Sequence, residues 1–317
     1  MSKASRVSRI GRALKNAGME TRTEGGPTHE ICCQGRARRA GLRAALASRE
    51  IGRPLMSDAA SGTPLLEVRD VAVRFEGIVA LDGVSFKLHK GQVLGLIGPN
   101  GAGKTTMFNC LSRLYTPTEG DVLFEGESIL PRQAHDMAQI GIGRTFQNVA
   151  LFSRLTVREN VLIGGHSHTN SNFFNDSLRL ASSRSVERQL EKTALELIDY
   201  LHLGDVIDRP VAGLPFGTQK RVELARALAA SPKLLLLDEP AGGLNHDEVH
   251  ELGRLVKQIR DDRNVTVLLV EHHMGLVMSI SDNVVALNFG KKIAEGAPDV
   301  VRKDPELIRA YLGGEAA

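Results

Sequence analysis

No apolar run in this 317-residue chain approaches the roughly 18 residues that a membrane-spanning helix needs; the longest lie around Leu234–Leu237 and Val265–Val270. Any role at a membrane is therefore expected to pass through a partner. Cysteine is scarce: Cys32, Cys33 and Cys110 form no spaced pairs, which argues against a disulfide framework or a zinc site and for free thiols in a reducing compartment. His166 and His168 have no third ligand at useful spacing, so a metal site there is not expected. No secretory apolar segment is visible, and no heptad pattern is sustained.

What is present is ordinary in bulk and uneven in detail. With 42% hydrophobic and 24% charged residues, the composition is that of a globular protein with a substantial core. Residues 1–55 hold 12 of the 40 Lys and Arg but only 4 of the 37 Asp and Glu, so they carry +8 and the rest of the chain −5. The overall basic balance is thus poor support for nucleic-acid binding, and none is expected. Residues 1–60 are poor in large apolar side chains and read as a basic, disordered extension, with the fold beginning near Leu65.

One stretch organises the remainder. Val93–Ile97 is a short apolar run of the kind a strand buried on both faces shows. Gly98, Pro99, Asn100, Gly101, Ala102, Gly103, Lys104 and Thr105 then fit the phosphate-binding spacing G-x-x-x-x-G-K-[ST], with Thr106 and a helix following. Glycines allow close backbone approach, loop N–H groups point at the phosphates, Lys104 reaches the outer ones and Thr105 holds Mg²⁺. The chain is therefore expected to bind a nucleoside triphosphate.

Around that loop, Leu65–Phe75 alternates as a half-exposed strand, and Ile78–Leu88 reads as a strand pair. Thr156-Val157-Arg158-Glu159 forms a capping box, and a helical region of about 150–232 follows, interrupted by a polar loop at Asn170–Ser185. A helix is expected over Gly217–Ala230. A buried strand, Lys233–Leu237, ends in Asp238 and Glu239, suiting one carboxylate to the Mg²⁺ shell and the other to polarising water. Strand Val265–Val270 leads into Glu271-His272-His273, two short strands close the domain, and Pro298–Leu312 is helical with a break near Pro305.

Together these motifs resemble the ATPase subunit of an ABC transporter over about Leu65–Leu312. The resemblance implies an α/β P-loop NTPase (RecA-like) core with a mainly parallel sheet, an antiparallel β subdomain and a helical subdomain, all within 61–317. It implies ATP and Mg²⁺ as ligands. Residue by residue, Gln147 resembles the glutamine that senses Mg²⁺, His272 the switch histidine at the γ-phosphate, and Phe75 the aromatic that stacks on adenine. Gly217, in Leu214-Pro215-Phe216-Gly217-Thr218-Gln219, resembles the signature loop that completes the ATP site of a second ATPase subunit, identical or different. Pro215 and Phe216 depart from the usual serine and glycine, so one hydroxyl donor is missing, and Asn245 stands where aspartate is common.

Finer likeness, in RTFQN, LPFGTQKRVELARAL and NFGKKIAEGAPDVVRKDPELIRAYLG, is to the larger ATPase subunit of branched-chain amino acid importers; urea, amide and aromatic-acid importers use similar subunits. Such importers join two ATPase subunits to two permeases and an extracytoplasmic binding protein, which implies a peripheral place on the cytoplasmic face of the membrane. Two rivals stay open: a non-transport ABC protein, and a regulatory module without catalysis.

Overall fold

The computed structural model describes residues 62–146, 150–165 and 181–312. The expected basic extension, His166, His168 and Gln147 lie outside the described residues.

Three five-residue strands, β3 (Val93–Ile97), β7 (Leu234–Asp238) and β8 (Thr266–Val270), are buried at every position. Such segments have no polar face to offer water, so each must be covered on both sides, the situation typical of a parallel sheet. They form the middle of a six-stranded sheet with β6 (Ile142–Arg144), β9 (Asn283–Asn288) and β10 (Lys291–Gly296), in the order β10-β9-β3-β8-β7-β6. All neighbouring pairs are parallel except β9 and β10.

Side-chain alternation sorts the core into two layers. Ile97, Leu235, Leu237, Val267 and Leu269 join one hydrophobic cluster, while Leu94, Leu96, Leu236, Leu268 and Val270 join another. The second cluster takes in α1 (Lys104–Leu111) and an antiparallel sheet of β1 (Leu66–Phe75), β2 (Ile78–Leu88), β4 (Glu119–Phe124) and β5 (Glu127–Ser128), ordered β2-β1-β4-β5. The short α2 (Met137–Ile140) leads into β6.

The first cluster takes in α3 (Val157–Gly165), α4 (Ala181–Tyr200), α5 (Phe216–Ala229), α6 (His246–Arg263) and α7 (Met274–Ile280). Two short helices, α8 (Pro298–Val301) and α9 (Pro305–Leu312), close the chain, with the break at Pro305 as expected.

Two expectations are corrected. Ile78–Leu88 is one strand, not a pair; it runs antiparallel to β1 through a two-residue turn at Glu76 and Gly77, both at positive φ. Register shifts against β1 between Val68 and Arg74 bend it without ending it. Residues 181–185, expected in the polar loop, are the first turns of α4. The apolar stripe of that helix is concentrated at its far end, in Ala194, Leu197 and Ile198, and once nucleated there the helix propagates through exposed polar residues. The capping box of α3 is present: the Thr156 N–H donates to Glu159 Oε2 at 2.7 Å, and the Glu159 N–H to Thr156 Oγ1 at 3.2 Å.

Leu197 is 1% exposed and shares its cluster with the strand residues Leu235 and Leu237. Leu197→Ala is expected to lower stability by about 2–5 kcal/mol, the scale of a buried leucine truncation. Urea denaturation of the full chain checks this, with an unchanged denaturant slope.

Candidate nucleotide site

The loop between β3 and α1 is held tight against its neighbours. Gly98 has φ 152, and a Cβ there would fall 2.3 Å from the Leu287 carbonyl oxygen; Gly103, at the N-cap of α1, has φ 99 and a Cβ there would fall 2.6 Å from that of Ala80. Only glycine fits both positions. Asn100, Gly101 and Thr105 are exposed, Pro99 and Thr106 half-buried, and Ala102 and Lys104 buried. Lys104 folds over the loop, its Nζ donating to the carbonyls of Gly98 at 2.7 Å and Pro99 at 3.0 Å. An ammonium has three N–H donors, so one is left for a ligand. Burial pulls the Lys104 pKa below its ordinary value, and the Glu239 carboxylate opposes that shift.

Parallel pairing of Asp238 with Val270 brings the ends of β7 and β8 to one edge of the sheet. Asp238 is buried and ion-paired to Arg144, Nη2 to Oδ2, at 2.9 Å. Burial pushes the Asp238 pKa up, and the Arg144 guanidinium works against that. The same guanidinium donates to Asn109 Oδ1 at 3.0 Å and to the Ser112 hydroxyl, and lies over the rings of Phe108 and Phe146. Arg144 thereby ties β6, β7 and the C-terminal end of α1 to one charge.

Glu239 sits in the left-handed region at φ 46, an uncommon place for a non-glycine residue, with its N–H donating to the Val270 carbonyl at 2.9 Å. Its Oε1 lies 4.0 Å from Nδ1 of the exposed His272. Glu271, fully buried, fixes this pairing: its Oε1 accepts from the Ala241 N–H at 2.7 Å, and its Oε2 from the N–H groups of His272 and His273 at 3.2 and 3.3 Å. Gly98, Pro99, Asn100, Glu239 and His272 line one cleft, together with Tyr311 of α9.

The remaining sequence candidates lie elsewhere. Gly217 lines a separate groove between α5 and α6 with Lys220, Leu244 and Glu248, and a Cβ on it would fall 2.7 Å from Glu248 Oε1. Phe75 is 42% exposed and meets Tyr115 edge-on, with ring centroids 5.3 Å apart. Asn245 caps α6 reciprocally with Glu248, at 3.0 and 2.9 Å, so its side chain is engaged by its own helix.

Among the described residues no three His, Cys, Asp or Glu side chains cluster into a metal cage. The hard oxygen donors present, the Thr105 hydroxyl and the buried Asp238 carboxylate, suit Mg²⁺, which binds through one or two side chains and substrate phosphates. Sequence reasoning missed Arg144, Glu271 and Tyr311. Arg144 and Glu271 each adjoin a quoted motif, but nothing local announces what they hold.

Comparison with known proteins follows the same outline. The family model described as ABC transporter matches residues 81–242, and that described as branched-chain amino acid ATP-binding cassette transporter matches residues 291–317. The chain is 44% identical over 250 residues to the high-affinity branched-chain amino acid transport ATP-binding protein BraF of Pseudomonas aeruginosa, covering 79% of this chain and 98% of that protein. It is 40% identical, over the same shares, to LivG of Escherichia coli K12, which carries the same description. Among solved structures, the ADP conformation of MJ1267, an ATP-binding cassette of an ABC transporter, superposes with a TM-score of 0.70 at 31% identity, covering 80% of this chain and 100% of that one. With matches of that extent, the chain belongs to the ABC transporter family.

Proposed function

We propose that this chain is the ATP-hydrolysing subunit of an importer, and that the importer carries branched-chain amino acids. The observation that carries the ATPase reading is the single cleft in which the phosphate loop, Glu239 and His272 meet. The substrate reading rests on the relatives and on the family model spanning 291–317.

In this reading the loop N–H groups of Asn100, Gly101 and Gly103 and the N-terminus of α1 cradle the phosphates, and Lys104 gives its third N–H to the outer ones. Thr105 and Asp238 hold Mg²⁺, with Thr106 beside them on the first turn of α1. When bound, the metal neutralises charge between the β- and γ-phosphates. Glu239 takes the proton of the attacking water, and His272, beside it, holds the γ-phosphate. Phe75 offers its exposed ring face to adenine. Gln147 connects the metal to the helical region of about 150–232.

The N-terminus of α5 at Gly217 faces the ATP of a second ATPase subunit, where its dipole favours the γ-phosphate although Pro215 and Phe216 bring no hydroxyl. No helix among the described residues is long and apolar enough to cross a membrane. Transport therefore passes through two permease subunits supplied by an extracytoplasmic binding protein, with this subunit peripheral on the cytoplasmic face. Closure of the ATPase pair on ATP and its reopening after hydrolysis drive the permease.

Three outcomes follow. Glu239→Gln is expected to slow ATP turnover of the assembled transporter by roughly 10²- to 10⁴-fold, the scale of a lost general base, while nucleotide still binds; near-normal turnover would refute the assignment. Lys104→Ala is expected to abolish binding of a fluorescent ATP analogue, and retained binding sinks the phosphate-loop reading. Arg144→Met leaves the Asp238 charge buried without its partner. It is expected to cost about 3–5 kcal/mol in chemical denaturation without nucleotide, part of it recovered when Asp238→Asn is added.

A further inference from the structure

The cleft holding the phosphate loop contains one side chain from the far end of the sequence. Tyr311 lies on α9, and its Oη accepts a hydrogen bond from the Gly98 N–H at 3.0 Å, across 213 residues of chain. Its placement is firm. Asp304 caps α9, its Oδ1 accepting from the N–H groups of Glu306 at 2.8 Å and Leu307 at 3.1 Å. Leu307, 2% exposed, plugs into the same hydrophobic cluster as Leu237 and Leu269, and Tyr311 follows it by four residues, on the same helical face. Burial raises the pKa of the phenol, so the group at the loop is a neutral hydroxyl.

Gly98 is thus gripped from both sides of one residue. Its N–H goes to Tyr311, and its carbonyl receives the Nζ of Lys104. A phenol that accepts one hydrogen bond still has its own O–H to give, and here that group sits in the cleft with Asn100, Glu239 and His272. The tyrosine is buried enough for the contact to matter, and nothing in the strand–loop–helix motif requires it. A peptide N–H at the base of a phosphate loop would otherwise face water or turn, and the loop with it.

We propose that Tyr311 is a positioning residue of the nucleotide site: its hydroxyl fixes the Gly98 peptide where the loop leaves β3, making the C-terminal helix a structural part of ATP binding. This rests on the nucleotide-site reading above. The segment that the branched-chain family model picks out at 291–317 thereby has a task at the phosphates as well as a place in the fold.

The test is Tyr311→Phe in the full-length chain, which keeps the ring and its packing and deletes only the hydroxyl. The amide exchange of Gly98, followed by NMR without nucleotide, is expected to accelerate at least several-fold. The dissociation constant for a fluorescent Mg²⁺-ATP analogue is expected to rise about 3- to 10-fold, the scale of one hydrogen bond. Thermal melting separates this from general loosening. A lowered Tm with unchanged nucleotide affinity marks a purely structural bond and overturns the proposal, as does unchanged exchange at Gly98. Tyr311→Ala, which also removes the ring, is expected to weaken nucleotide binding further, whereas wild-type affinity in that variant contradicts the proposal. Failure of the underlying reading looks different: Lys104→Ala then binds the analogue as well as wild type does, whatever Tyr311 variants do.

Discussion

Leu237 and Leu269 stand opposite each other in a parallel ladder, so the residues that follow them leave the sheet at the same edge. Parallel strands buried on both faces allow no other outcome: the apolar run fixes where the strand lies, and polar side chains appear only where it ends. That constraint puts Asp238 and Glu239 on one strand end, Glu271 and His272 on the next, and the loop after Ile97 beside them. Shift the register of β7 against β6 by one residue and Asp238 would lose its alignment with Arg144. The chemistry of the cleft is thus a consequence of how two layers of Leu, Ile and Val interlock beneath it.

Charges buried at such an edge must each find partners, because an unpaired one costs several kcal/mol. Asp238 has Arg144, and Glu271 has three backbone N–H groups. Glu223, on α5, accepts from the Phe146 N–H at 3.0 Å. Each arrangement also spans elements: Arg144 joins β6 to β7 and α1, and Glu271 joins the loop after Glu239 to the backbone of His272. For the Arg144–Asp238 pair, a hydrophobic pair of similar volume is often at least as stable. What the charged groups add is direction, since each bond fixes an angle as well as a distance.

The distance over which each group finds its partner decides what was readable in advance. The phosphate loop, the buried strands and the capping box of α3 are local patterns, complete within about twenty residues, and all were legible. The places of Asp238, Glu239 and His272 at the strand ends were legible because they follow apolar runs whose strand character was clear. Arg144 pairs across 94 residues, Glu271 reaches back 30 and Tyr311 reaches 213, and no periodicity encodes such pairings. The bent β2 was misjudged for the same reason: its register shifts are imposed by β1, so its own residues look like two strands. The first turns of α4 were missed because a helix can extend through polar sequence once its apolar end is anchored.

The departures in the signature loop gain a physical context from what surrounds them. Phe216 packs on the backbone at Gly243, where a Cβ would fall 2.8 Å from the ring, and Gly217 leaves room for Glu248, the partner of Asn245 in capping α6. A glycine at 216 would give up that packing. Farther along the same helix, Glu223 accepts from the Phe146 N–H and Arg226 donates to the Ala150 carbonyl. Helix α5 is therefore braced at one end to the loop before α6 and along its length to Phe146 and Ala150. Under the proposed function, a shift of α5 on closure cannot leave Phe146 behind without stripping the buried Glu223 carboxylate of that backbone donor.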